Sequence, residues 1–463
     1  MAEQLTAVLD HLAATRDAAL ERLKDLLAIP SVSTDEAYTP HIAKAAQWVA
    51  DALRACGLEV AIHPTQGHPV VVATTPDNLA PADAPTVLFY GHYDVQPPDP
   101  VEKWDTPPFE PTIRDGAIFA RGASDDKGQV YCFIEAVRAW YETTGRLPCR
   151  VKVLIEGEEE IGSTHLPPFI EANRELLAAD VVVISDTAMW DRDTVAITYG
   201  LRGLLYFDIQ LHGPSRDLHS GIYGGTLANP ATMLTQVLGR LFDSDHRVTI
   251  PGFYDDVLPL SDAERQEWNA LNFDAQAFLG EVGVTQSFGE AGYEFLERRW
   301  ARPAVEICGL YGGYMGQGAK TIIPAFAGAK VNFRLAPQQD PARIAQSFVD
   351  WLHAQDVHGL TWKIEEFGRA TPVVVSRTSP HVAAASRAVS TVTGKPPALV
   401  REGATIPVVA DFKKMLGLDS LLIGFGLHDD RLHSPNEKFE LTCFDLGRRT
   451  HAALLYELGR RGQ

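Results

Sequence analysis

Residues 87–96 read Val-Leu-Phe-Tyr-Gly-His-Tyr-Asp-Val-Gln, an apolar run that leads into a histidine and an aspartate. Three further short and nearly all-apolar runs, at 151–155, 181–184 and 421–425, are also followed by acidic residues or histidines. Strands with this composition are typical of a sheet that is covered on both faces by helices. The four runs therefore predict an α/β fold with a mostly parallel sheet flanked by helices.

Helical segments separate these runs. Thr39-Pro40 has the sequence of a capped helix start, and apolar residues at helical spacing follow until Gly57. A second helix is predicted from about Lys127 to Tyr141, which carries an apolar stripe. Further helix starts are marked by the pairs Asn229-Pro230, Asp340-Pro341 and Ser379-Pro380, and by the capping box of Ser261 and Glu264.

The middle of the chain has a different pattern. Residues 204–211 and 329–335 alternate apolar with polar side chains, as strands with one exposed face do. We therefore predict an inserted α+β domain at 202–375, within an α/β domain made of 1–201 and 376–463. The acidic segment 253–299 is predicted to be helical, but its pattern indicates no role.

Composition and charge exclude several classes of protein. The 463 residues include 41 Lys and Arg against 60 Asp and Glu, a net charge of −19 that argues against a nucleic-acid or membrane partner. Apolar runs fall short of the roughly 18 residues of a membrane span, and the first 27 residues do not resemble a signal peptide. The five cysteines lack CxxC spacing, which predicts reduced thiols in a cytoplasmic enzyme.

Candidate metal ligands follow the predicted strands. They are His92 and Asp94 after the first run, Glu158-Glu159-Glu160 after the second, Asp186 after the third, and His428 and His433 after the fourth, with Asp125-Asp126 just before a helix. The carboxyl ends of parallel strands meet at one edge of a sheet, so these side chains can converge. Histidine and carboxylates without cysteine suit zinc or manganese.

Each of these positions also has a structural interpretation. A histidine or aspartate after a strand is often a turn former, and a run of glutamates is usually a solvated loop. Asp125-Asp126 could simply complement a helix dipole. Five coincidences of this kind favour a shared metal site. Other catalytic patterns are missing from the sequence: G-x-S-x-G, HExxH and G-x-G-x-x-G do not occur, and 313–321 lacks the ending of a phosphate loop.

Five segments resemble one known family when they are taken in order. They are Gly91-His92-x-Asp94-Val-Gln-Pro, Gly122-Ala-Ser-Asp125-Asp126-Lys-Gly, Glu159-Glu160-x-Gly-Ser, Ser185-Asp186 and His433-Ser-Pro-Asn-Glu437. The sequence is similar over nearly its whole length to the di-metal peptidase family of carnosinases, cytosolic non-specific dipeptidases, aminoacylases and desuccinylases. Residues 199–203, 217–221, 320–324 and 401–403 resemble its dipeptidase branch.

The resemblance implies two divalent cations per subunit, with zinc expected and manganese or cobalt as alternatives. Carried over residue by residue, it makes Asp125 the bridging carboxylate. The remaining ligands implied are His92 and Asp186 for one cation and Glu160 and His433 for the other. It also implies a cis peptide bond between Asp125 and Asp126. The α/β domain would then be the catalytic domain, and residues 202–375 a lid and dimerisation domain.

The same resemblance implies a hydrolytic mechanism. A metal-bridging water would lose its proton to the general base Glu159 and attack the amide carbonyl, while Asp94 holds His92. His219 would stabilise the oxyanion and reach the active site of the partner subunit in a homodimer. Thr321, Arg334 and Thr405 correspond to positions that contact the substrate, with Arg334 placed to bind its C-terminal carboxylate.

The substrate is a small peptide on this interpretation, and departures from the family's pattern leave its identity open. Ala404-Thr405 replaces the Gly-Ser of the dipeptidases, and Gly368-Arg369-Ala370-Thr371 lacks a histidine of the carnosinases. The sequence therefore predicts a dipeptidase but does not favour carnosine as its substrate. The alternative enzyme is an N-acyl-amino-acid deacylase or desuccinylase of the same family, and the alternative outside catalysis is a metal-bound scaffold protein.

Overall fold

The structure is a computed structural model that describes residues 2–460. Its strands in chain order are β1 Glu59–His63, β2 Val70–Thr74, β3 Thr86–His92, β4 Thr112–Arg114, β5 Ala117–Phe119, β6 Arg150–Glu156, β7 Val181–Ile184, β8 Ala196–Leu201, β9 Gly203–His212, β10 Leu218–His219, β11 Ala304–Gly312, β12 Ile322–Ile323, β13 Phe326–Leu335, β14 Thr361–Ala370, β15 Val373–Val374, β16 Ala398–Glu402, β17 Ser420–Leu422 and β18 Lys438–Glu440.

The helices are α1 Ala2–Ala14, α2 Arg16–Leu27, α3 Thr39–Arg54, α4 Lys127–Thr144, α5 Leu166–Ala172, α6 Arg174–Leu177, α7 Ser220–Tyr223, α8 Pro230–Leu238, α9 Asp262–Ala270, α10 Ala275–Glu281, α11 Phe295–Trp300, α12 Pro341–His353, α13 Pro380–Thr393, α14 Pro407–Asp411 and α15 Leu441–Gly459. A π-helical turn, Phe412–Leu416, follows α14.

The chain forms two compact units. The first comprises the chain up to Tyr199, Val375–Val400 and the chain from Asp411 onward, and the second comprises Gly200–Val374 and Arg401–Ala410. The sequence placed residues 401–410 with the α/β domain, whereas in the structure they belong to the second unit. Arg401 forms an ion pair with Glu264 there, a contact across 137 positions that local sequence does not reveal.

A mixed sheet lies at the centre of the first unit. Its order is β1-β2-β6-β3-β7-β17-β8, and β3 runs parallel to β6 and β7 as β17 does to β7. Helices α1, α3, α4, α13 and α15 contribute to the apolar core that packs against it. The apolar runs thus form the predicted parallel strands, although the last run is a strand only over Ser420–Leu422, and β1, β2 and β8 add antiparallel edges.

The second unit contains an antiparallel sheet of order β11-β13-β9-β14, with α8 and α12 packed on it. Buried and half-buried residues alternate along the whole of β9, as the sequence pattern predicts, because one face covers an apolar core and the other does not. The acidic segment 253–299 contains three short helices, α9 to α11.

Helix caps follow the sequence with one exception. Asn229, Asp340, Ser379 and Ser261 each accept a main-chain N–H bond at the start of their helix, and Ser261 and Glu264 form the predicted capping box. Thr39 is instead the first residue of α3, and its hydroxyl donates to the carbonyl of Glu36 at 2.8 Å. The preceding 3-10 turn at Glu36–Tyr38 moves the helix start by one residue.

Two further sequence expectations concern the thiols and the membrane. All five cysteines are free; four are buried and Cys308 is exposed. Among the helices of residues 2–460, the structure contains none long and apolar enough to cross a bilayer.

Candidate metal centre

Three parallel strands bring the candidate ligands to one edge of the large sheet. β3 ends at His92, its neighbour β6 ends shortly before Glu159 and Glu160, and β7 ends two residues before Asp186. Asp125 comes from the loop before α4, and His433 from the loop that precedes β18. The convergence expected from the strand ends is present in the structure.

The first group of candidate ligands consists of His92, Asp125 and Asp186. His92 Nε2 lies 3.2 Å from Asp125 Oδ1 and 3.8 Å from Asp186 Oδ2. The second group consists of Asp125, Glu160 and His433. His433 Nε2 lies 2.9 Å from Asp125 Oδ2 and 3.2 Å from Glu160 Oε2. Each group gathers ligand atoms that all lie within 4.8 Å of one another.

Asp125 is the only residue the two groups share among those the structure describes, and it offers one oxygen to each. A carboxylate with this orientation can bridge two neighbouring cations. The peptide bond between Asp125 and Asp126 is cis, as the family resemblance implies. His428, the other histidine after β17, is in neither group.

The donor set fits a pair of divalent cations. His92 Nε2 is buried and makes no hydrogen bond within the described part of the chain, although acceptor oxygens surround it. An imidazole nitrogen of this kind is stabilised by a metal ion when the ring is neutral. Two histidine nitrogens and three carboxylates, without cysteine, match the preferences of zinc and manganese.

Asp94 contacts His92 at Nδ1, the ring nitrogen on the other side from Asp125. Asp94 Oδ1 lies 3.4 Å from His92 Nδ1, which also contacts the Asp94 carbonyl oxygen at 3.1 Å. The Asp94 carboxylate accepts the main-chain N–H of Glu159 at 3.3 Å and of Glu160 at 3.1 Å. One side chain thus orients the imidazole of one group and the loop that carries a ligand of the other.

Burial and crowded charge shift the ionisation of the carboxyl groups. Burial raises the pKa of Glu159 to about 8, with the charge of Asp186 adding to the effect against the opposing influence of His92. Burial and the charge of Asp125 raise the pKa of Asp186 to about 7. Several negative charges in a buried space disfavour ionisation unless cations compensate them.

The pKa values of the two histidines are also raised, which favours their positively charged form. Hydrogen bonds to Asp125 and Glu160 raise the pKa of His433 to about 10. Burial alone would lower the pKa of His92, but the nearby carboxylates of Asp125 and Asp94 hold it well above its usual value. Burial likewise raises the pKa of Asp125, yet His433 and His92 bring it below the usual range for aspartate. The site therefore strongly favours positive charge beside Asp125.

Glu437, for which the sequence indicates no role, contacts the loop that carries Asp125. Its buried carboxylate accepts the N–H groups of Gly122, Ser124 and Asp125 at 2.9, 3.0 and 3.1 Å, and the guanidinium of Arg121 at 2.6 Å. Asp125 and Glu437 lie in the quoted motifs 122–128 and 433–437, but nothing in the local sequence indicates that these motifs meet.

The remaining predicted residues belong to the second unit and form two pairs. His219 in β10 is in register with Ile322 of β12, and the carbonyl of Thr321 accepts the N–H of Ser220 at 3.1 Å, so His219 and Thr321 lie close together. Arg334 Nη1 donates to Thr405 Oγ1 at 3.1 Å, and that hydroxyl donates to the carbonyl of Arg202 at 2.6 Å.

Comparison with known proteins identifies relatives of the whole chain. The model of peptidase family M20/M25/M40 matches residues 88–457. The Cys-Gly metallodipeptidase DUG1 of Candida albicans is 32% identical over 95% of this chain and 94% of its own length. The human Beta-Ala-His dipeptidase is 34% identical over 81% of this chain and 75% of its own.

A solved structure of an M20 family protein has the same fold as this chain. The M20 family metallo-carboxypeptidase Sso-CP2 of Sulfolobus solfataricus superposes with a TM-score of 0.83 and 32% identity, covering 95% of this chain and 99% of its own. Sequence and fold therefore agree on the relatives of this protein.

Proposed function

The chain belongs to peptidase family M20/M25/M40, in its metallodipeptidase branch, and from that membership we propose that it hydrolyses the amide bond of dipeptides that carry a free C-terminal carboxylate. The observation that carries the proposal is the position of Asp125, whose two carboxylate oxygens face two separate groups of histidine and carboxylate ligands. A shared carboxylate of this kind is what a two-cation hydrolase requires.

We propose that His92 and Asp186 hold one divalent cation, that Glu160 and His433 hold the other, and that Asp125 contacts both. Zinc suits the donor set best, with manganese or cobalt as alternatives. When bound, such a pair of cations polarises the carbonyl of the substrate and lowers the pKa of a water molecule. Asp94 keeps His92 oriented for this purpose through the contact at Nδ1.

Glu159 is proposed as the group that moves the proton. It directly precedes the proposed ligand Glu160, and its main-chain N–H donates to the carboxylate of Asp94, which also contacts His92. It is absent from either ligand group in residues 2–460, so its carboxylate is available to accept a proton from the attacking water and return it to the leaving amine.

Arg334 is proposed to bind the C-terminal carboxylate of the substrate through its planar fork of donors. The hydroxyl of Thr405 already donates to the Arg202 carbonyl, and its oxygen accepts from Arg334. We therefore propose that Thr405, which the sequence placed in contact with substrate, acts by orienting Arg334. Thr321, beside His219, is proposed to contact the substrate as well.

The protein is proposed to act as a homodimer through the second unit, with His219 serving the partner's active site as a donor to the oxyanion. Large apolar side chains that are exposed in this unit support an interface: Met315 is 78% exposed and Ile222, three residues after His219, is 69% exposed. A cytoplasmic location is proposed from the free cysteines.

A substrate panel tests the proposed function. The purified protein, supplied with zinc or manganese, is assayed against free dipeptides, tripeptides, dipeptide amides, and N-acetyl and N-succinyl amino acids. We expect kcat/KM to be at least a hundredfold higher for free dipeptides than for the acyl amino acids. Preferential cleavage of acyl amino acids would instead establish a deacylase, and metal-loaded protein without activity on any of them would support the scaffold alternative.

A further inference from the structure

The second unit contains a cavity of about 370 Å³ that the proposed catalytic machinery does not use. It is lined by residues of the acidic helical segment, by the start of β11, and by Arg202. Among the described residues that line it, none is a proposed metal ligand, and His219, Thr321, Arg334 and Thr405 are not part of its wall. Its volume is within the range of small-molecule sites in proteins.

Aromatic rings form much of the wall. They include Phe242, Tyr254, Phe278 and Phe295, and Phe288 lies at the surface with 81% of its side chain exposed. His246 stacks on Phe242 with ring centroids 4.4 Å apart and contacts Phe288 edge-on at 4.2 Å. An exposed phenylalanine held beside an aromatic cavity offers a flat apolar ligand a surface on which to stack.

Positive charge is in excess in the same wall, although the chain as a whole is strongly acidic. Four arginines line the cavity against two glutamates. Glu290 is already bound by both arms of Arg302 at 2.7 Å each, and Glu306 is exposed. The lining therefore has more guanidinium groups than carboxylates able to neutralise them.

Within residues 2–460, two of these arginines donate hydrogen bonds only to neutral groups. Arg298 donates to the hydroxyl of Ser287 at 2.6 Å, and Arg202 donates to the carbonyl oxygens of Gly403 at 3.1 Å and Arg302 at 3.4 Å. Across residues 2–460 neither forms an ion pair with a carboxylate. Burial, together with the neighbouring charges of Arg334 and Arg299, lowers the pKa of Arg202 to about 10 against the opposing influence of Glu402 and Glu306.

We propose that this cavity binds a small aromatic carboxylate, with Arg298 and Arg202 holding the carboxylate and the phenylalanine rings enclosing the aromatic group. Charge-assisted bonds to a guanidinium are strong where water is partly excluded, and a carboxylate supplies the two acceptors that its fork accommodates. Arginine beside aromatic rings also favours stacking of a planar ligand. This proposal does not rest on the proposed dipeptidase activity.

Isothermal titration of the full-length protein with 2-naphthoate tests this proposal, with 2-naphthylmethanol as the uncharged analogue. We expect saturable binding of 2-naphthoate at one site per chain, at least tenfold tighter than binding of the alcohol. Arg298→Met should weaken it at least tenfold, because the substitution removes the charge and keeps most of the apolar stem. Arg369 is an exposed arginine of the same unit that lies outside the cavity, so Arg369→Met should bind 2-naphthoate with the affinity of the unmodified chain.

A further variant, Arg334→Met, tests whether 2-naphthoate binds at this cavity or at the proposed substrate anchor. Arg334→Met should retain 2-naphthoate binding, whereas loss of binding in Arg334→Met with retention in Arg298→Met would show that the ligand occupies the substrate site and would overturn the proposal. Equal affinity of the unmodified chain and Arg298→Met, or no saturable binding, would also overturn it. Circular dichroism of each variant establishes that the fold is intact.

Discussion

The carboxylate of Glu437 accepts the main-chain N–H of Asp125 at 3.1 Å, a contact between residues 312 positions apart. The same carboxylate accepts two other N–H groups of this loop and the guanidinium of Arg121. The loop that presents the shared ligand of both proposed cation sites is therefore held by one buried side chain. Because the loop is already ordered, metal binding by this ligand does not require a further loss of conformational entropy.

Replacing Glu437 by glutamine should destabilise the protein by about 2–4 kcal/mol, because an amide NH₂ would face the donors of Arg121 and Gly122. Urea unfolding of chelator-treated protein measures the change. Glu366→Gln, which alters an exposed ion pair with Arg369, should change stability by less than about 0.5 kcal/mol. Equal stability of Glu437→Gln and the unmodified chain would contradict the role given to this carboxylate.

Glu159→Gln should lower kcat by about 10²–10⁴ while the protein still binds two cations, because it removes the proposed general base and none of the proposed ligands. Steady-state kinetics measures the loss of kcat, and metal analysis of the same sample measures how many cations are still bound. The matched control is Glu158→Gln, since Glu158 pairs with His165 and lies outside both ligand groups. Near-normal turnover by Glu159→Gln would refute its assignment as the base.

Thr405→Val should raise KM for a free dipeptide about fivefold to tenfold with a smaller effect on kcat, because Arg334 loses the hydrogen bond that orients it. Thr405→Ser, which keeps the hydroxyl, should restore KM. Hydrolysis of a dipeptide amide, which lacks the carboxylate, should be slow and insensitive to both substitutions. An equal effect of Thr405→Val on the dipeptide and the amide would point to a role unrelated to Arg334.

Mixing His219→Ala with Glu159→Ala should restore activity if His219 acts on the partner subunit. Equal mixing and exchange give half heterodimers with one complete site each, or about a quarter of the original specific activity. A mixture of Glu159→Ala with Asp125→Asn serves as the control, because each substitution removes a proposed site residue of the first unit and no complete site can form. If subunit exchange is demonstrated and neither mixture recovers activity, the claim that His219 acts in trans is wrong.

His451 should make stability depend on pH. Burial lowers the pKa of His451 to about 3. Its imidazole ring contacts Phe133 and Phe425, and Ser185 Oγ lies 2.7 Å from its Nε2. The unfolded chain takes up a proton near pH 6.5 and the folded chain does not, so the stability contributed by neutral His451 is present above pH 6.5 and is lost as the pH falls toward 3.

Between pH 7 and 5 the loss due to His451 should be about 2 kcal/mol. Denaturant unfolding at both values should show that His451→Gln, which cannot titrate, lacks this part of the pH dependence. His353→Gln, at an exposed histidine, should keep the full dependence. The same pH dependence in His451→Gln and the unmodified chain would show that the histidine titrates freely in the folded state.

Much of the fold was predictable from local sequence. The apolar runs that became β3, β6 and β7 are continuous because those strands are buried on both faces, and capping residues such as Asn229 and Asp340 act on main-chain groups two or three positions away. The candidate ligands were identifiable for a related reason, since each lies at the end of a strand, in the loop after a strand, or just before a helix.

By itself, the sequence determined which segments form buried strands and helices and which side chains are candidate metal ligands, because burial, periodicity and capping are encoded among neighbouring residues. Only the tertiary structure decided that Asp125 offers one oxygen to His92 and the other to His433, that Glu437 holds the loop between them, and that residues 401–410 belong to the second unit. These relationships join residues up to 312 positions apart. They depend on how loops are placed by the packing of the whole unit, a property that no local pattern specifies.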